Sequence, residues 1–261
     1  QEANKKALHI LNKGITSLGF HLNGISLSQT DFEALLKNVC TEAVELNFIH
    51  AGNPVKLADL LKTRAKQENI APEKLQATID YAPLAGLATT GGFYTDAEQD
   101  MEQAASLVKA VADYPQVKVI GIHGEHYHNA GGTLVQELGF AMAEGEAYMT
   151  ALTERGISPD VAAQAIKFNL AVGSVYFMEI AKVRAARMLW ARIAEAYKLQ
   201  NLNNAKIPIH SITSDWNKTV YDPYVNMIRT STEAMSAVIG GAESLTVKPY
   251  DSIYREPSQF S

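Results

Sequence analysis

The stretches that decide the fold are Val117 to His123 (VKVIGIH) and Ile166 to Val172 (IKFNLAV), two short β-rich runs separated by a long helical segment. Five similar runs complete the set: Ser17 to Leu22, Val44 to Ile49, Leu75 to Tyr81, Ile207 to Ile212 and Ser244 to Val247. Strands that alternate with helices in this way pair in parallel. Their regular spacing, with no dinucleotide-type glycine fingerprint after the first strand, favours a closed barrel over a doubly wound sheet.

The fold class predicted from these runs is α/β, a TIM-type (β/α)8 barrel that is incomplete here, with about seven of its eight strands. We expect residues 1–261 to form a single barrel domain fragment and the missing strand to lie upstream of Gln1. An incomplete barrel leaves two strand edges with unpaired backbone groups. Another segment or a partner chain must then cover those edges.

The composition excludes several classes of function. The chain has 261 residues, of which 47% are apolar and 20% are charged, and this fits one large globular domain. Its formal net charge of -5 offers no basic face for nucleic acid. The sequence has no apolar run of the roughly 18 residues that a membrane span needs, and its start lacks the apolar core of a signal peptide. We therefore expect a cytoplasmic protein that binds neither nucleic acid nor membranes.

A helix in the last third of the chain has clear boundary signals. Asp222 is placed to cap it, Pro223 to occupy its first turn, and Gly240 and Gly241 to supply a left-handed exit. Five positions at helical spacing form one stripe between these signals: Val225, Ile228, Thr232, Met235 and Ile239. A helix that packs this stripe on the barrel is a sufficient interpretation.

The segment from Phe177 to Tyr197 is apolar on more than one face, with charged residues interspersed. A helix of this kind is predicted to lie between the barrel and another surface. A second subunit is one candidate for that surface.

A cluster of His123, Glu125, His126 and His128 follows the fourth predicted strand, at the end of a barrel where functional groups gather. The cluster could bind a metal, supply a general acid or base, or hold the strand end through hydrogen bonds. On an extended strand, residues 126 and 128 point the same way, and residue 123 points the opposite way unless the loop turns sharply, which argues against a metal site. We predict no metal-binding residue.

Three blocks carry far more sequence detail than helix formation needs: Tyr127 to Gly139 (YHNAGGTLVQELG), Phe177 to Trp190 (FMEIAKVRAARMLW) and His210 to Thr246. Together they closely resemble the barrel domain of the methylmalonyl-CoA mutase family. These adenosylcobalamin-dependent enzymes interconvert methylmalonyl-CoA and succinyl-CoA by radical chemistry. The sequence of these blocks is more similar to that of the small, non-catalytic subunit of the family than to that of the large subunit.

The resemblance implies two candidate catalytic positions, His126 and His210. Catalytic subunits read roughly Gly-Tyr-His-x-x-x-Ala-Gly-Ala-Thr, and here His126 is retained while Glu125 replaces the tyrosine. Where catalytic subunits read His-x-Gln-Thr-Ser-Gly-Trp, this chain keeps His210 and has Ile212 in place of glutamine. The arginine that engages the acyl-CoA has no counterpart between Asp80 and Leu87, before the glycine-rich loop. These departures favour a chain that is itself not catalytic.

The resemblance therefore implies a structural partner of a homologous large catalytic subunit, in a heterodimer that uses adenosylcobalamin. The family's cobalamin motif is Asp-x-His-x-x-Gly, and none of the seven histidines here has an aspartate two positions before it. We expect no cofactor-binding residue and no cofactor bound to these residues. A cobalamin-binding domain is expected beyond Ser261.

Two alternatives stay open at this point. The chain could be a catalytic acyl-CoA mutase that uses His126 and His210, or a metal-dependent barrel hydrolase that adds His123 and His128 to them. Family catalytic barrels admit the CoA arm along their axis through small polar residues. Larger side chains filling the axis would exclude it, and four candidates for this are Phe20, Phe48, Ile79 and Phe168.

Overall fold

Seven parallel strands form one sheet in the order of the chain. The computed structural model describes residues 2–256 and 258. The strands are β1 (Ser17–His21), β2 (Glu45–Ile49), β3 (Ala77–Tyr81), β4 (Val117–His123), β5 (Ile166–Val172), β6 (Ile209–Thr213) and β7 (Ser244–Thr246). Every predicted strand is present within two residues at each end. The seven strands curve into a nearly closed barrel, as predicted. Within the described ranges the barrel stays open between β7 and β1, which do not pair.

Ten α-helices accompany the strands across the described part of the chain, the first of them before β1. They are α1 (Glu2–Leu11), α2 (Gln29–Leu35), α3 (Pro54–Gln67), α4 (Pro83–Thr90), α5 (Ala97–Val111), α6 (Gly124–Asn129), α7 (Leu134–Glu154), α8 (Pro159–Gln164), α9 (Tyr176–Ala196) and α10 (Val225–Gly240). Side-chain caps begin several of them; Asn53, for example, accepts from the Lys56 backbone N–H at the start of α3. No helix among the residues described is long and apolar enough to cross a membrane.

The hydrophobic core lies between the strands and the helices. Phe48 of β2 packs against Phe20 of β1 and Phe32 of α2, with ring centroids 5.6 and 6.0 Å apart. Phe168 of β5 meets Trp190 of α9 at 5.1 Å. Because successive side chains of a strand point to opposite faces, these residues face the helices and leave the axis to their neighbours. Phe20, Phe48, Ile79 and Phe168 therefore do not fill the barrel axis.

The predicted start of α10 is wrong. The helix begins at Val225, and Tyr224 precedes it with helical backbone angles and no side-chain cap. Asp222 contributes only its carbonyl, which accepts from the Val225 N–H, because residues 222–224 form a turn of their own. The predicted exit is confirmed at Gly241, which has a left-handed φ of 88°.

The predicted packing of the apolar stripe on the barrel is also wrong. Ile228 is 68% exposed and Met235 is 55% exposed. The face of α10 that packs on the barrel is instead largely polar, and its members are Asn226, Thr230, Glu233, Ser236, Ala237 and Gly240. The longer α9 buries Trp190 against the barrel and leaves Phe177 80% exposed, so the described residues do not cover its second apolar face.

Candidate functional site

Polar side chains alternate with the core residues along the strands and line the barrel lumen. Ser17 of β1 donates to Glu45 of β2 at 2.9 Å, and the Asn47 amide donates to Ser17 at 2.9 Å. These positions lie between Leu18, Leu46 and the phenylalanines that face the helices. The alternation of strand side chains therefore separates a polar lumen from an apolar core.

Lys167 of β5 crosses this lumen. Its ammonium donates to Glu45 at 2.7 Å, to Asn47 at 2.9 Å and to Thr78 at 3.2 Å. Strands β2 and β5 are not neighbours in the sheet, so the ion pair spans the interior of the barrel. Burial alone would raise the pKa of Glu45, but the Lys167 ammonium lowers it below its usual value. The Glu45 carboxylate is therefore ionised at neutral pH, and its ion pair with Lys167 obstructs the barrel axis.

The histidine cluster at the end of β4 is organised by two carboxylates around His123. The Nε2 atom of His123 lies 3.1 Å from Asp80, and its Nδ1 atom lies 2.7 Å from Glu125. Gly121 makes room for this contact, since a Cβ there would lie 1.9 Å from the Asp80 oxygen. A side chain at residue 121 would displace the Asp80 carboxylate.

The charges of this cluster follow from burial and pairing. Burial alone would lower the pKa of His123, but Asp80 and Glu125 raise it well above its usual value. The nearby Glu144 has no hydrogen-bond partner for either carboxylate oxygen, and burial raises its pKa to about 7. The arrangement thus holds the His123 imidazolium between Asp80 and Glu125, with Glu144 as a nearby acid that titrates near neutrality.

The expected geometry of the histidines is wrong, because residues 124–129 form the helical turn α6 and do not continue the strand. A helical turn places His123, Glu125 and His126 together, each with one potential metal-ligand atom within 4.8 Å of the others. His128 turns away and lies 2.8 Å from Ser214 and 3.4 Å from Glu137. The structure therefore separates His128 from the cluster that the sequence grouped it with.

His126, the first candidate catalytic residue, is the least constrained of the cluster. Its ring stacks on His123 with centroids 4.9 Å apart, and its side chain is 39% exposed. Its Nδ1 has no hydrogen-bond partner, and Nε2 lies 3.7 Å from Glu125. Burial lowers its pKa. His126 is therefore neutral. It lies beside Glu125, which occupies the position of the tyrosine in the catalytic pattern.

His210, the second candidate, is fully engaged by its own sheet. Its Nδ1 lies 2.7 Å from the Ser244 hydroxyl, and its Nε2 lies 3.0 Å from the Thr246 hydroxyl. Burial, assisted by the Lys167 charge, lowers its pKa to about 4. Both ring nitrogens of His210 therefore have hydrogen-bond partners on β7, and neither forms a hydrogen bond with His126.

A second buried polar network fixes the end of β5. Glu137 of α7 accepts from the Ala171 N–H at 2.7 Å, and Lys182 of α9 donates to the Ala171 carbonyl at 2.8 Å. Glu179 accepts from the Gly173 N–H at 2.8 Å. The network satisfies backbone groups at the strand end, so its role is structural.

Sequence reasoning missed the lumen residues Lys167, Glu45 and Asp80. A signal was available, because polar residues at 45 and 47 alternate with Leu46 and Phe48, and the same pattern holds around Lys167. Read with a period of two, these strands predict one polar face. The pattern does not indicate which polar side chains contact one another across the barrel.

Comparison with known proteins identifies the family. The family model described as Methylmalonyl-CoA mutase matches residues 17–261. The chain belongs to the methylmalonyl-CoA mutase family. It is 41% identical to the methylmalonyl-CoA mutase small subunit of Porphyromonas gingivalis, over all of this chain and 42% of that protein. The family resemblance found in the sequence is confirmed.

Two further mutase relatives show how the subunits compare. The small subunit of Streptomyces virginiae is 30% identical over 99% of this chain and 41% of that protein. The methylmalonyl-CoA mutase large subunit of Porphyromonas gingivalis is 29% identical over 91% of this chain and 34% of that protein. The chain therefore spans about two fifths of the small subunits that it matches.

Proposed function

We propose that the chain is the barrel region of a methylmalonyl-CoA mutase small subunit, and that it acts as the structural partner of a homologous catalytic subunit. The complete enzyme interconverts methylmalonyl-CoA and succinyl-CoA in the cytoplasm. In that enzyme this barrel contributes an interface and a scaffold, while the large subunit holds the acyl-CoA. The chain itself performs no catalytic step.

The observation that carries the proposal is the ion pair of Lys167 with Glu45 across the lumen. An acyl-CoA arm that followed the barrel axis would have to break this pair, which would leave Lys167 with only the neutral partners Asn47 and Thr78 and Glu45 with only Ser17. Removing one member of a buried pair costs about 3–5 kcal/mol. The lumen of this barrel is therefore unsuited to the substrate.

The two retained histidines support the same conclusion. His210 would have to give up its hydroxyl partners Ser244 and Thr246 before it could contact a thioester. His126 stands beside Glu125, whose second carboxylate oxygen is buried without a hydrogen-bond partner. A carboxylate in a pocket that must shelter a radical from water is unfavourable.

Adenosylcobalamin would supply the radical chemistry in the complete enzyme. The family's Asp-x-His-x-x-Gly motif does not occur among these residues, so this chain has no counterpart of the histidine that binds the cobalt from below. The residues described here support the enzyme through packing only.

The catalytic alternative is not favoured, because the lumen is crossed and both candidate histidines are engaged or faced by a carboxylate. The hydrolase alternative is not favoured either, since the relatives are mutases and His123 already has a carboxylate at each ring nitrogen. Both alternatives predict ligand binding by the chain alone, which makes them testable.

The test uses the full-length small subunit and its large subunit, purified separately and together. Titration calorimetry with methylmalonyl-CoA should give a signal for the large subunit and none for the small subunit. A mutase assay should show turnover for the pair and none for the small subunit alone. Saturable binding of methylmalonyl-CoA by the small subunit would contradict the proposal.

A further inference from the structure

Helix α10 presents its apolar residues to solvent and its polar residues to the barrel. Eight of its positions are exposed, and none of them is charged. Six of the eight are large apolar residues: Val225, Met227, Ile228, Met235, Val238 and Ile239. A solvated helix normally exposes charged residues, so a face of this kind indicates a binding surface.

The polar face of α10 is held in place by specific partners. Glu233 accepts from Lys218 at 2.7 Å, and these two side chains are 0% and 2% exposed. Asn226 donates to the carbonyls of Thr219 and Tyr250 at 2.8 and 3.0 Å. Rotating the helix to bury its apolar side would strand these buried groups. The contacts of these polar residues therefore fix the orientation of α10, with its apolar side towards solvent.

Helix α9 continues the same surface. The two helices pack closely, since a Cβ at Gly240 would lie 3.0 Å from Val183. On the exposed side of α9, an open hollow of about 460 Å³ is lined by Phe177, Ile180, Ala181, Arg184, Ala185 and Met188. Phe177 and Met188 are 80% and 66% exposed. We call the exposed sides of these two helices the α9/α10 face.

The size of the α9/α10 face is appropriate for a subunit interface. The helices have 21 and 16 residues. At 1.5 Å per residue and an axis separation of about 10 Å, they present on the order of 550 Å² of projected surface. The accessible area of a helical surface is larger than its projection, and a stable interface needs about 800 Å² per partner. Four exposed residues that directly precede α10 extend the face further: Val220, Tyr221, Asp222 and Tyr224.

Among the possible partners of the α9/α10 face, a homologous subunit fits best. In Porphyromonas gingivalis and in Streptomyces virginiae, the relatives of this chain include proteins named small subunit and proteins named large subunit. Because homologous subunits share a fold, they can pair about an approximate two-fold axis, with equivalent surfaces in contact. A membrane surface is a poor match, since α10 exposes no lysine or arginine for lipid headgroups and the hollow on α9 offers only Arg184.

We infer that the α9/α10 face docks on the large mutase subunit, with the equivalent pair of helices of that subunit as its partner. This inference rests on the proposed function, because it takes the partner from there. It adds the location of the contact and its apolar chemistry.

The experiment uses the full-length small subunit co-expressed with the large subunit. Ile228→Glu and Met235→Glu place charges at the centre of the face, and Ile25→Glu is the matched control because Ile25 is 61% exposed away from it. The double variant should weaken the complex at least about 100-fold by analytical ultracentrifugation, and the control should change it by less than about threefold. Circular dichroism of each variant alone should be unchanged.

The outcomes separate the two proposals. If the wild-type subunits associate and the double variant associates equally well, the face is wrong and the proposed function stands. If the wild-type subunits do not associate at all, the proposed function is wrong and so is the inference.

A crosslinking arm identifies the occupant directly. The chain has a single cysteine, the exposed Cys40, so Met235→Cys in a Cys40→Ser background gives one reactive site on the face. With a short bifunctional maleimide-photocrosslinker, the expected adduct joins the small and the large subunit. An adduct between two small subunits, or within one small subunit, would overturn the inference.

Discussion

Helices α3 and α10 belong to the same barrel and treat their apolar residues in opposite ways. α3 buries Leu57, Leu60 and Leu61, and its exposed positions are Lys56, Asp59, Thr63, Lys66 and Gln67. α10 buries Asn226, Thr230, Glu233 and Ser236 and exposes valine, isoleucine and methionine. The apolar side of α3 is buried by other residues of this chain. The apolar side of α10 has no neighbour among the described residues, and we propose that a partner covers it.

The difference teaches that helical periodicity predicts an apolar side without saying what will cover it. Both helices have a stripe at helical spacing, and for α3 the obvious neighbour is the barrel. For α10, the barrel side is occupied by the buried pair of Lys218 and Glu233. Four substitutions test whether the two helices really differ in this way.

The largest expected effect is at the pair that holds the polar side of α10 inward. Lys218→Met leaves Glu233 buried without its cation, which should cost about 3–5 kcal/mol of unfolding free energy. Burial already raises the pKa of Glu233, so its protonation should reduce the cost at pH 5 relative to pH 8. Urea unfolding of the full-length chain at both pH values measures it.

The control for that experiment is the double variant Lys218→Met with Glu233→Leu. With no charge left at the interface, it should recover most of the lost stability. A single variant as stable as the wild type would show that the pair does not fix the orientation of α10.

A matched pair of truncations compares the two helices directly. Leu61→Ala on α3, where the side chain is 1% exposed, should cost about 2–5 kcal/mol. Ile228→Ala on α10 should change the unfolding free energy of the small subunit alone by less than about 0.5 kcal/mol. The measurement is urea unfolding, repeated with the large subunit present. Equal costs for the two variants would mean that this chain covers the α10 face itself.

The two sides of the lumen should also differ in their response to pH. His210, on the β6 side near α10, has a pKa lowered to about 4 by burial, so it is neutral in the folded chain. Its contribution to stability is present above pH 6.5 and is lost as the pH falls towards 4. His210→Gln should therefore flatten the acid side of a plot of melting temperature against pH.

His123, on the β4 side, has the opposite shift. Its pKa is raised well above 6.5 by Asp80 and Glu125. Its contribution is present below pH 6.5 and is lost as the pH rises through the raised value. His123→Gln should flatten the alkaline side of the same plot. If both variants altered the same side, the opposite charges assigned to the two histidines would be wrong.

Much of the fold could be predicted from the sequence. The strands were recognisable because β-branched runs such as Ile166 to Val172 alternate with long helical segments, and this pattern is local. The end of the strand at His123 was predicted, but the helical form of the turn at Gly124 to Asn129 was not, since nothing local in these residues indicates a helix. That error misplaced His128.

The candidate site was less predictable, because its character depends on contacts between residues far apart in the chain. Lys167 and Glu45 are 122 residues apart and meet across the lumen. Asp80 reaches His123 from another strand. The two family-matched histidines could be named from sequence, but their engagement by Ser244, Thr246 and Glu125 needed the structure. Their assignment as non-catalytic stays a prediction.

The most direct test of the account is the activity of the mutase pair in which only the small subunit carries His126→Ala and His210→Ala. Complex formation is checked first, because a dissociated pair would give no information. We predict kcat and KM within about twofold of the wild-type pair, since in the proposed function neither imidazole contacts substrate. A fall of about tenfold or more in kcat/KM, with the complex intact, would contradict the claim that this barrel is a structural partner.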